Sequence, residues 1–484
     1  MFEIWLIYNA INTKNKVAKK IDTFILFSKK RGISMKKTIV SALLLSTFLI
    51  SQAKAQTVFE ALSDAYNTNP TLQAQRAYLR SIDENVAIAK SGFRPTLAIK
   101  GSYTDNNVSH DNYDQSKDGT TSSASAVISQ PLFNGLSTLN SVKAADKTVK
   151  AEQNNLYNVE QNIFLNASTA YFNVVQNSAI VELQRNNEKL LKKKLDETQE
   201  RFNVGEVTRT DVSQAKARYA QAKASTISAE GDLEASKAVY KQIIGTEPKT
   251  LSEPKNLSQF IPNNFNDALS YAKEHNYAVL AAKESLDARE YTVSANTGAL
   301  LPQISLDGSA SSNRNDTELT KDRKLDTYEV GVNMTVPLYD AGQNRAKIRQ
   351  SKYQKWQAQE LLMEAERTAI SDITKSWEYM ASNHAKIKSI KEQIKANEIA
   401  LDGVQKEEAL GNRTILDVLD AYNELLSSKV EEVKARRDYF VSGMQVLSAM
   451  GKLTAKELHL AVDIYDAEKY YKETKGKWLS LSID

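Results

Sequence analysis

The chain contains no cysteine. Disulfides, thiolate catalysis, thiolate metal sites and acylation at an N-terminal cysteine are therefore excluded. Proline is scarce. The 8 prolines stand at 70, 95, 131, 248, 254, 262, 302 and 337, so 138–245 and 343–484 contain none. A proline inside a helix costs about 3 kcal/mol, and its absence permits very long helices in those two gaps. Past the first fifty-odd residues no run of about 18 apolar residues occurs, which excludes a transmembrane helix from the exported part of the chain. Neither sign of charge dominates: 63 bases against 59 acids give +4, too balanced to point to nucleic acid or to an acidic partner. The four histidines, His110, His275, His384 and His459, lie far apart and lack His-Glu-x-x-His spacing. There is no phosphate-binding loop and no nucleophile motif. An enzyme is not expected, nor a cofactor or metal.

What is present begins with "MKKTIVSALLLSTFLISQAKAQ" from Met35. Lys36 and Lys37 form a basic start, Ile39 to Ile50 an apolar core too short to span as a mature helix, and Ala53-Lys54-Ala55 a small-x-small cleavage site. Residues 35–55 are thus expected to be a signal peptide, with a mature chain from Gln56. Residues 1–34 read as an upstream extension translated in frame, with Met35 the expected start. Export leaves the mature chain soluble in the periplasm or inserted as a barrel.

The mature chain repeats itself. "GEVTRTDVSQ" (205–214) and "GNRTILDVLD" (411–420) share Gly, Thr, Asp and Val at an offset of 206. The same offset, or one more, relates Pro95 to Pro302, Pro131 to Pro337, Tyr171 to Trp377 and Gly245 to Gly451, and "EALSDAYNTNP" resembles "DALSYAKEHNY". A register held that long implies an internal duplication, with a period too long for a solenoid. The expected halves are 56–245 and 267–451, separated by a linker at 246–266 and followed by a tail at 452–484.

Apolar residues recur at threes and fours in the first proline-free gap: Val142, Ala145, Val149, Leu156, Val159, Ile163, Leu183, Leu190. That seam predicts a helix over 138–203, about 99 Å long, with a counterpart over 343–410. Helices of that length need neighbours along their whole course. Gly205 and Gly411 suit the left-handed residue that ends a helix, and Thr208-x-x-Asp211 and Thr414-x-x-Asp417 read as capping boxes opening return helices over 211–244 and 417–450. Each motif is then the tip of a long helical hairpin.

Elsewhere the period changes to two. "TYEVGVNMTVPLY" puts Tyr328, Val330, Val332, Met334, Val336 and Leu338 on one face; "LPQISLDGSAS" and "TLAIKGSY" alternate likewise, and "SSASAVISQPL" more weakly. Four strands are expected, over 96–110, 120–132, 303–313 and 326–338, with polar tips at 105–119 and 313–325. Apolar alternating with polar over about ten residues suits a transmembrane β-strand. Phe93, Phe133 and Tyr339 fall at the strand–helix junctions, where an interfacial aromatic belt belongs. The fold class is mainly α with a small transmembrane β part. Four strands cannot close a membrane barrel, so spanning strands require subunits to pool them, in a number the pattern does not choose. A periplasmic coiled-coil scaffold would satisfy the helices alone, but has no use for such strands.

With "RFNVGEVTRTDV" and "GNRTILDVLDA", supported by "QPLF" and "VPLYDAG" at the strand ends, the mature chain resembles the TolC family of outer-membrane channel proteins from 56 to about 460. The resemblance implies a homotrimer in outer-membrane lipid: a 12-stranded β-barrel continued by a 12-helix α-barrel across the periplasm, belted by 246–266 and the tail. It implies an exit duct for efflux or type I secretion, partnered by a periplasmic adaptor (membrane fusion) protein and an inner-membrane pump, with the tips Val204, Gly205, Glu206, Leu410, Gly411 and Asn412 meeting the adaptor. Asp417 and Asp420, on one helix face, match the acidic pair at the closed entrance, where six carboxylates around one axis would attract cations. Arg413, Thr210 and Asp211 match the polar links that hold the mouth shut, with an Arg413–Asp211 contact as the latch. The family's tyrosine three residues before the second tip glycine is Glu408 here, which is expected to add negative charge and to be able to pair with Arg413.

Overall fold

The computed structural model describes residues 55–110, 113–253, 259–317 and 322–482, with 106–110, 113–118 and 317 described by their backbone. The expected upstream extension and all of the signal peptide but Ala55 lie outside the described residues, as do 111–112 and 318–321 in the strand tips, 254–258 in the linker and 483–484.

A fixed order of elements occurs twice. The first set is helix α1 (Val58–Thr68), helix α2 (Pro70–Ser91), strands β1 (Thr96–His110) and β2 (Tyr113–Asn134), the 67-residue helix α3 (Ser137–Asn203) and its return α4 (Arg209–Ile244). The second is α5 (Phe265–His275), α6 (Tyr277–Gly298), β3 (Gln303–Thr317), β4 (Arg323–Thr335), the 67-residue α7 (Gln343–Ala409) and its return α8 (Ile415–Ala449). A short helix, α9 (Lys469–Thr474), lies in the tail. The caps repeat as well. Asn69 caps α2 through the amides of Thr71 and Leu72, and its own amide donates to the Ile243 carbonyl at 2.9 Å. Asn276 caps α6 in the same way and donates to the Ala449 carbonyl at 3.0 Å. One side chain therefore starts one helix and ends another.

The four strands form one antiparallel sheet in the order β1-β2-β3-β4. The register carries one apolar row across it: Leu97 faces Ile128, Ile128 faces Gly308, and Gly308 faces Val330; Ile99, Ala126, Ala310 and Tyr328 make the next row. Ile99, Tyr328, Val330 and Val332 are largely exposed. The other face is polar. There Asp307 accepts from Ser129, Ser305 and Asn333.

β1 ends at His110 as expected, but β2, β3 and β4 run further into the polar tips than the sequence pattern predicts. Asn107 pairs with Asp118, and the β3 ladder reaches Asn315 opposite Arg323. Ladder bonds come from the backbone, so a stretch that loses its apolar period can still pair. β4 stops at Thr335, short of the expected 338, because Pro337 offers no amide to the ladder. Pro131 is accommodated inside β2, one step from a bulge and past the last residue paired with β1.

Each strand joins a long or medium helix, and the helices keep the strand order. Next to the sheet α2 packs on α3, α3 on α6, and α6 on α7; further away α4 packs on α3, α3 on α8, and α8 on α7. The chain is thus a wall of helices below a sheet. Gly135, at φ +65°, lets the turn after β2 touch Gly298, whose carbonyl oxygen would lie 2.0 Å from an added Cβ.

The main core lies where α1 and the tail cross the middle of the wall. It gathers Leu62, Leu72, Phe164, Tyr171, Phe172, Tyr240, Met444 and Leu453. Buried Tyr171 donates to the Gln56 carbonyl at 2.7 Å and accepts from the Ser252 amide at 3.1 Å, tying both ends of the first half to α3.

Two buried acids sit at this level. Glu160 accepts the Ala455 amide at 2.6 Å, and burial outweighs that bond, pushing its carboxyl up to about 7. Asp83 on α2 is fully buried, and neither carboxylate oxygen has a hydrogen-bond partner among the described residues. Burial and the neighbouring Glu84 push it up to about 7, against the pull of Arg80. An unfolded aspartate ionises near pH 4. Between that value and about 7 the folded chain keeps a proton that the unfolded chain has released, so this group's contribution to stability falls as pH rises through the window. Asp83→Asn is therefore expected to raise the thermal midpoint by several degrees at about pH 8 and to leave it nearly unchanged at about pH 4, measured by scanning calorimetry in detergent.

Candidate functional site

The candidate site is the end of the wall farthest along α3 and α7 from the sheet, where both hairpins turn. At the first turn the Gly205 amide donates to the Phe202 carbonyl at 3.0 Å and the Glu206 amide to the Arg201 carbonyl at 2.9 Å. At the second, Gly411 donates to Glu408 and Asn412 to Glu407, both at 2.9 Å. The glycines hold φ of +84° and +80°, a region that disfavours any residue with a Cβ. Thr208 and Asp211 then cap each other's backbone amides at the start of α4, as Thr414 and Asp417 do at the start of α8. Val204 and Leu410 stand out from the tips, exposed, beside Gly205, Glu206, Gly411 and Asn412.

Both capping aspartates are committed locally. The Asp417 carboxylate accepts from the Thr414 amide at 2.9 Å and the Thr414 hydroxyl at 2.7 Å. That hydroxyl, then the amide, then nearby Arg413 hold its carboxyl below the usual range. Asp211 repeats the arrangement with Thr208 at 2.8 and 2.7 Å. Thr210 is exposed on the first turn of α4.

Arg413 does not reach Asp211 within the chain. Its Nε donates to Glu407 at 2.8 Å, across its own turn, and Glu407 is the main cause of its raised pKa. Asp211 is occupied by its cap, so the expected contact between them is not made in this protomer. Glu408 likewise does not meet Arg413. It points into the wall, 7% exposed, where it accepts from Arg201 at 2.6 Å and from Lys194 at 3.4 Å, both on α3. The physical reason is helix periodicity: Glu407 and Glu408 are adjacent and project about 100° apart, so only one can face the tip and the other must face α3. Glu408 is the largest cause of the raised pKa of Arg201, which also reaches Glu206 at 3.2 Å.

Asp420 is half-exposed but not free. It accepts from Arg218 of α4 at 2.6 Å. The same hairpins share a small apolar contact in which Ile415 and Leu419 of α8 meet Leu191 of α3 and Ala222 of α4. The two hairpins are therefore joined near their tips by an apolar contact and by two sets of ion pairs. Among the described residues no group of three or more His, Asp or Glu could hold a metal ion.

The sequence reading missed Lys194, Arg201 and Arg218 as partners. A signal was present: in the 206-residue register Arg201 aligns with Glu407 and Arg218 with Glu424, so the charge reverses between halves at the same place on the hairpin.

A buried ion pair that loses one partner leaves the other charge unmatched. Glu408→Gln is expected to cost about 1–3 kcal/mol, and adding Arg201→Gln to it should cost less than Arg201→Gln alone, as read from a double-mutant cycle of thermal midpoints. Gly411→Ala should lower stability by about 1–2 kcal/mol through its positive φ, since no atom lies near enough to clash.

Comparisons with known proteins place this arrangement. The model of the outer membrane efflux protein family matches residues 61–246 and 268–452. The chain is 37% identical over 452 residues to the outer membrane efflux protein BepC of Brucella suis biovar 1, covering 92% of this chain and 97% of that one. It is 28% identical over 423 residues to the outer membrane protein TolC of Escherichia coli, covering 84% and 85%. The fold superposes on the Campylobacter jejuni CmeC outer membrane channel with a TM-score of 0.74 at 17% identity, covering 87% of this chain and 89% of that one. With the family model matching most of the chain in two consecutive spans, the protein belongs to the TolC-like outer membrane efflux protein family.

Proposed function

We propose that the chain is the outer-membrane exit duct of a tripartite efflux or type I secretion system, carrying small molecules or proteins from the cell to the exterior. In this reading it works as a homotrimer of two-half subunits whose twelve strands form one barrel and whose twelve long and paired helices continue it into the periplasm. A periplasmic adaptor (membrane fusion) protein meets the tips and links them to an inner-membrane pump.

One observation carries the reading: the wall and the sheet are open at the same two sides. β1 and β4 each have one unpaired edge. Below them, α2 and α4 form one margin of the helical wall and α7 the other. Exposed apolar side chains line both margins, with Tyr78, Ile88 and Ile227 on one and Tyr353, Trp356, Tyr379 and Ile399 on the other. An unpaired strand edge cannot lie in lipid, and apolar patches of this extent mark an interface. Copies of the chain placed side by side would meet both needs at once. A periplasmic scaffold would account for the helices, but not for a sheet with an exposed apolar face of Leu97, Ile99, Tyr328, Val330, Val332 and Met334.

At the tips, Asp417 and Asp420 are proposed to ring the periplasmic entrance and favour cations over anions. Asp417 is charged at neutral pH like any exposed aspartate, and its cap holds its pKa lower still. Glu408 with Arg201 and Lys194, and Asp420 with Arg218, would hold the two hairpins of one subunit together in the resting state. Arg413, Thr210 and Asp211, at the same tips, would latch one subunit to the next. Val204 and Leu410, with Gly205, Glu206, Gly411 and Asn412, would offer the adaptor two apolar knobs on glycine turns.

Detergent-solubilised protein is expected to have the mass of three chains by light scattering and to form cation-selective channels in planar bilayers; a monomer without conductance refutes the duct. Asp420→Asn is expected to weaken block by trivalent cations added from the tip side, and unchanged block would remove Asp420 from the pore.

A further inference from the structure

The tail does not stop at the core. From α9 onward it climbs α2 and the start of α3 towards the sheet, fastened at each step. Tyr470 donates to Glu84 at 2.8 Å and Tyr471 to Asp146 at 2.9 Å. Lys90 then donates to the Lys475 carbonyl at 3.1 Å, and Arg94 to the Lys477 carbonyl at 3.2 Å. The Arg94 guanidinium also lies 5.5 Å from the ring centroid of Trp478. Arg94 precedes β1 by two residues, so the last described turn of the chain is pinned at the junction of helix and strand.

What the tail delivers there is apolar. Trp478 is 64% exposed, Leu479 83% and Leu481 101%. Trp478 lies against Arg94, which follows exposed Phe93 and precedes β1, whose apolar face carries exposed Leu97 and Ile99. Lys90 and Arg94, with Lys475 and Lys477 of the tail itself, bring positive charge to the same stretch. A tryptophan and leucines ringed by lysine and arginine at the foot of an apolar strand face have the chemistry of a membrane–water interface. Anionic phospholipid headgroups over acyl chains complement both the bases and the exposed apolar side chains.

We propose that the end of the tail, Trp478 to Leu481, is an interfacial anchor that inserts among acidic phospholipids of the leaflet facing the periplasm, held at that height by Lys90 and Arg94. The anchor rests on the reading of the sheet as a lipid-facing barrel. It would fix the depth of the duct in the membrane without an acylated cysteine, which this chain lacks.

The absence of cysteine makes the test direct, because one introduced thiol takes a single spin label. Leu479→Cys and, separately, Val330→Cys on β4 are labelled in the full chain and reconstituted into phosphatidylethanolamine–phosphatidylglycerol vesicles. Collisions with oxygen, which partitions into lipid, are compared with collisions with a water-soluble nickel chelate. The expected result is loss of chelate collisions, with oxygen collisions retained, at both positions. A label at 479 that collides freely with the chelate while 330 remains lipidic overturns the anchor and leaves the barrel standing. A label at 479 shielded from both reagents is packed against protein and also overturns the anchor. Chelate access at both positions removes the barrel and the anchor together.

Discussion

Backbone amides and carbonyls that face hydrocarbon must find partners inside the protein. That constraint organises this chain. A four-stranded sheet with an apolar face satisfies its inner strands and leaves two edges open. The unmet bonds at those edges lie directly above two helical margins with their own uncovered apolar residues. Closure by neighbouring copies, as proposed, would answer a polar need in the sheet and an apolar need in the wall. The strand order repeats the helix order because each strand runs directly into a helix, so neither layer can be rearranged without the other.

Long helices create a second demand. A 67-residue helix exceeds the reach of any single core, and here the main core occupies only the middle of the wall. Toward the tips the packing thins to a few apolar residues, and charge takes over the task of joining the hairpins. Glu408 is a buried carboxylate held by Arg201 and Lys194. Such a link is strong while its geometry holds and is lost abruptly when a partner leaves. An apolar contact would weaken gradually. Electrostatic joints at the tips and apolar packing at the middle of the wall fit the proposed duct, gated at its tip.

The halves also show how a duplicated sequence becomes asymmetric. Matched turns keep their glycine and their capping box because the backbone geometry of a tight helical hairpin allows little else. The side chains around those turns are free to diverge. Gln214 and Arg218 in one half stand where Asp420 and Glu424 stand in the other, and the divergence is what lets Asp420 reach Arg218 across the hairpins.

Local physics was legible in the sequence. The proline-free gaps, the seam at threes and fours, the glycine turns with Thr-x-x-Asp boxes and the period-two face are each set by a residue's own conformational preference or by its neighbours within one turn. Sequence alone therefore determined that the chain holds two long helical hairpins and four strands with one apolar face. Tertiary structure decided where the strands end in their polar tips, which carboxylate each arginine takes, and that Glu408 turns inward while Glu407 turns to Arg413. The carboxylates of Glu408 and Asp420 take partners more than 200 residues away, and a rotation of about 100° between adjacent helical residues separates Glu407 from Glu408. No local pattern encodes either, because a charged side chain pairs with whatever the packing brings within reach.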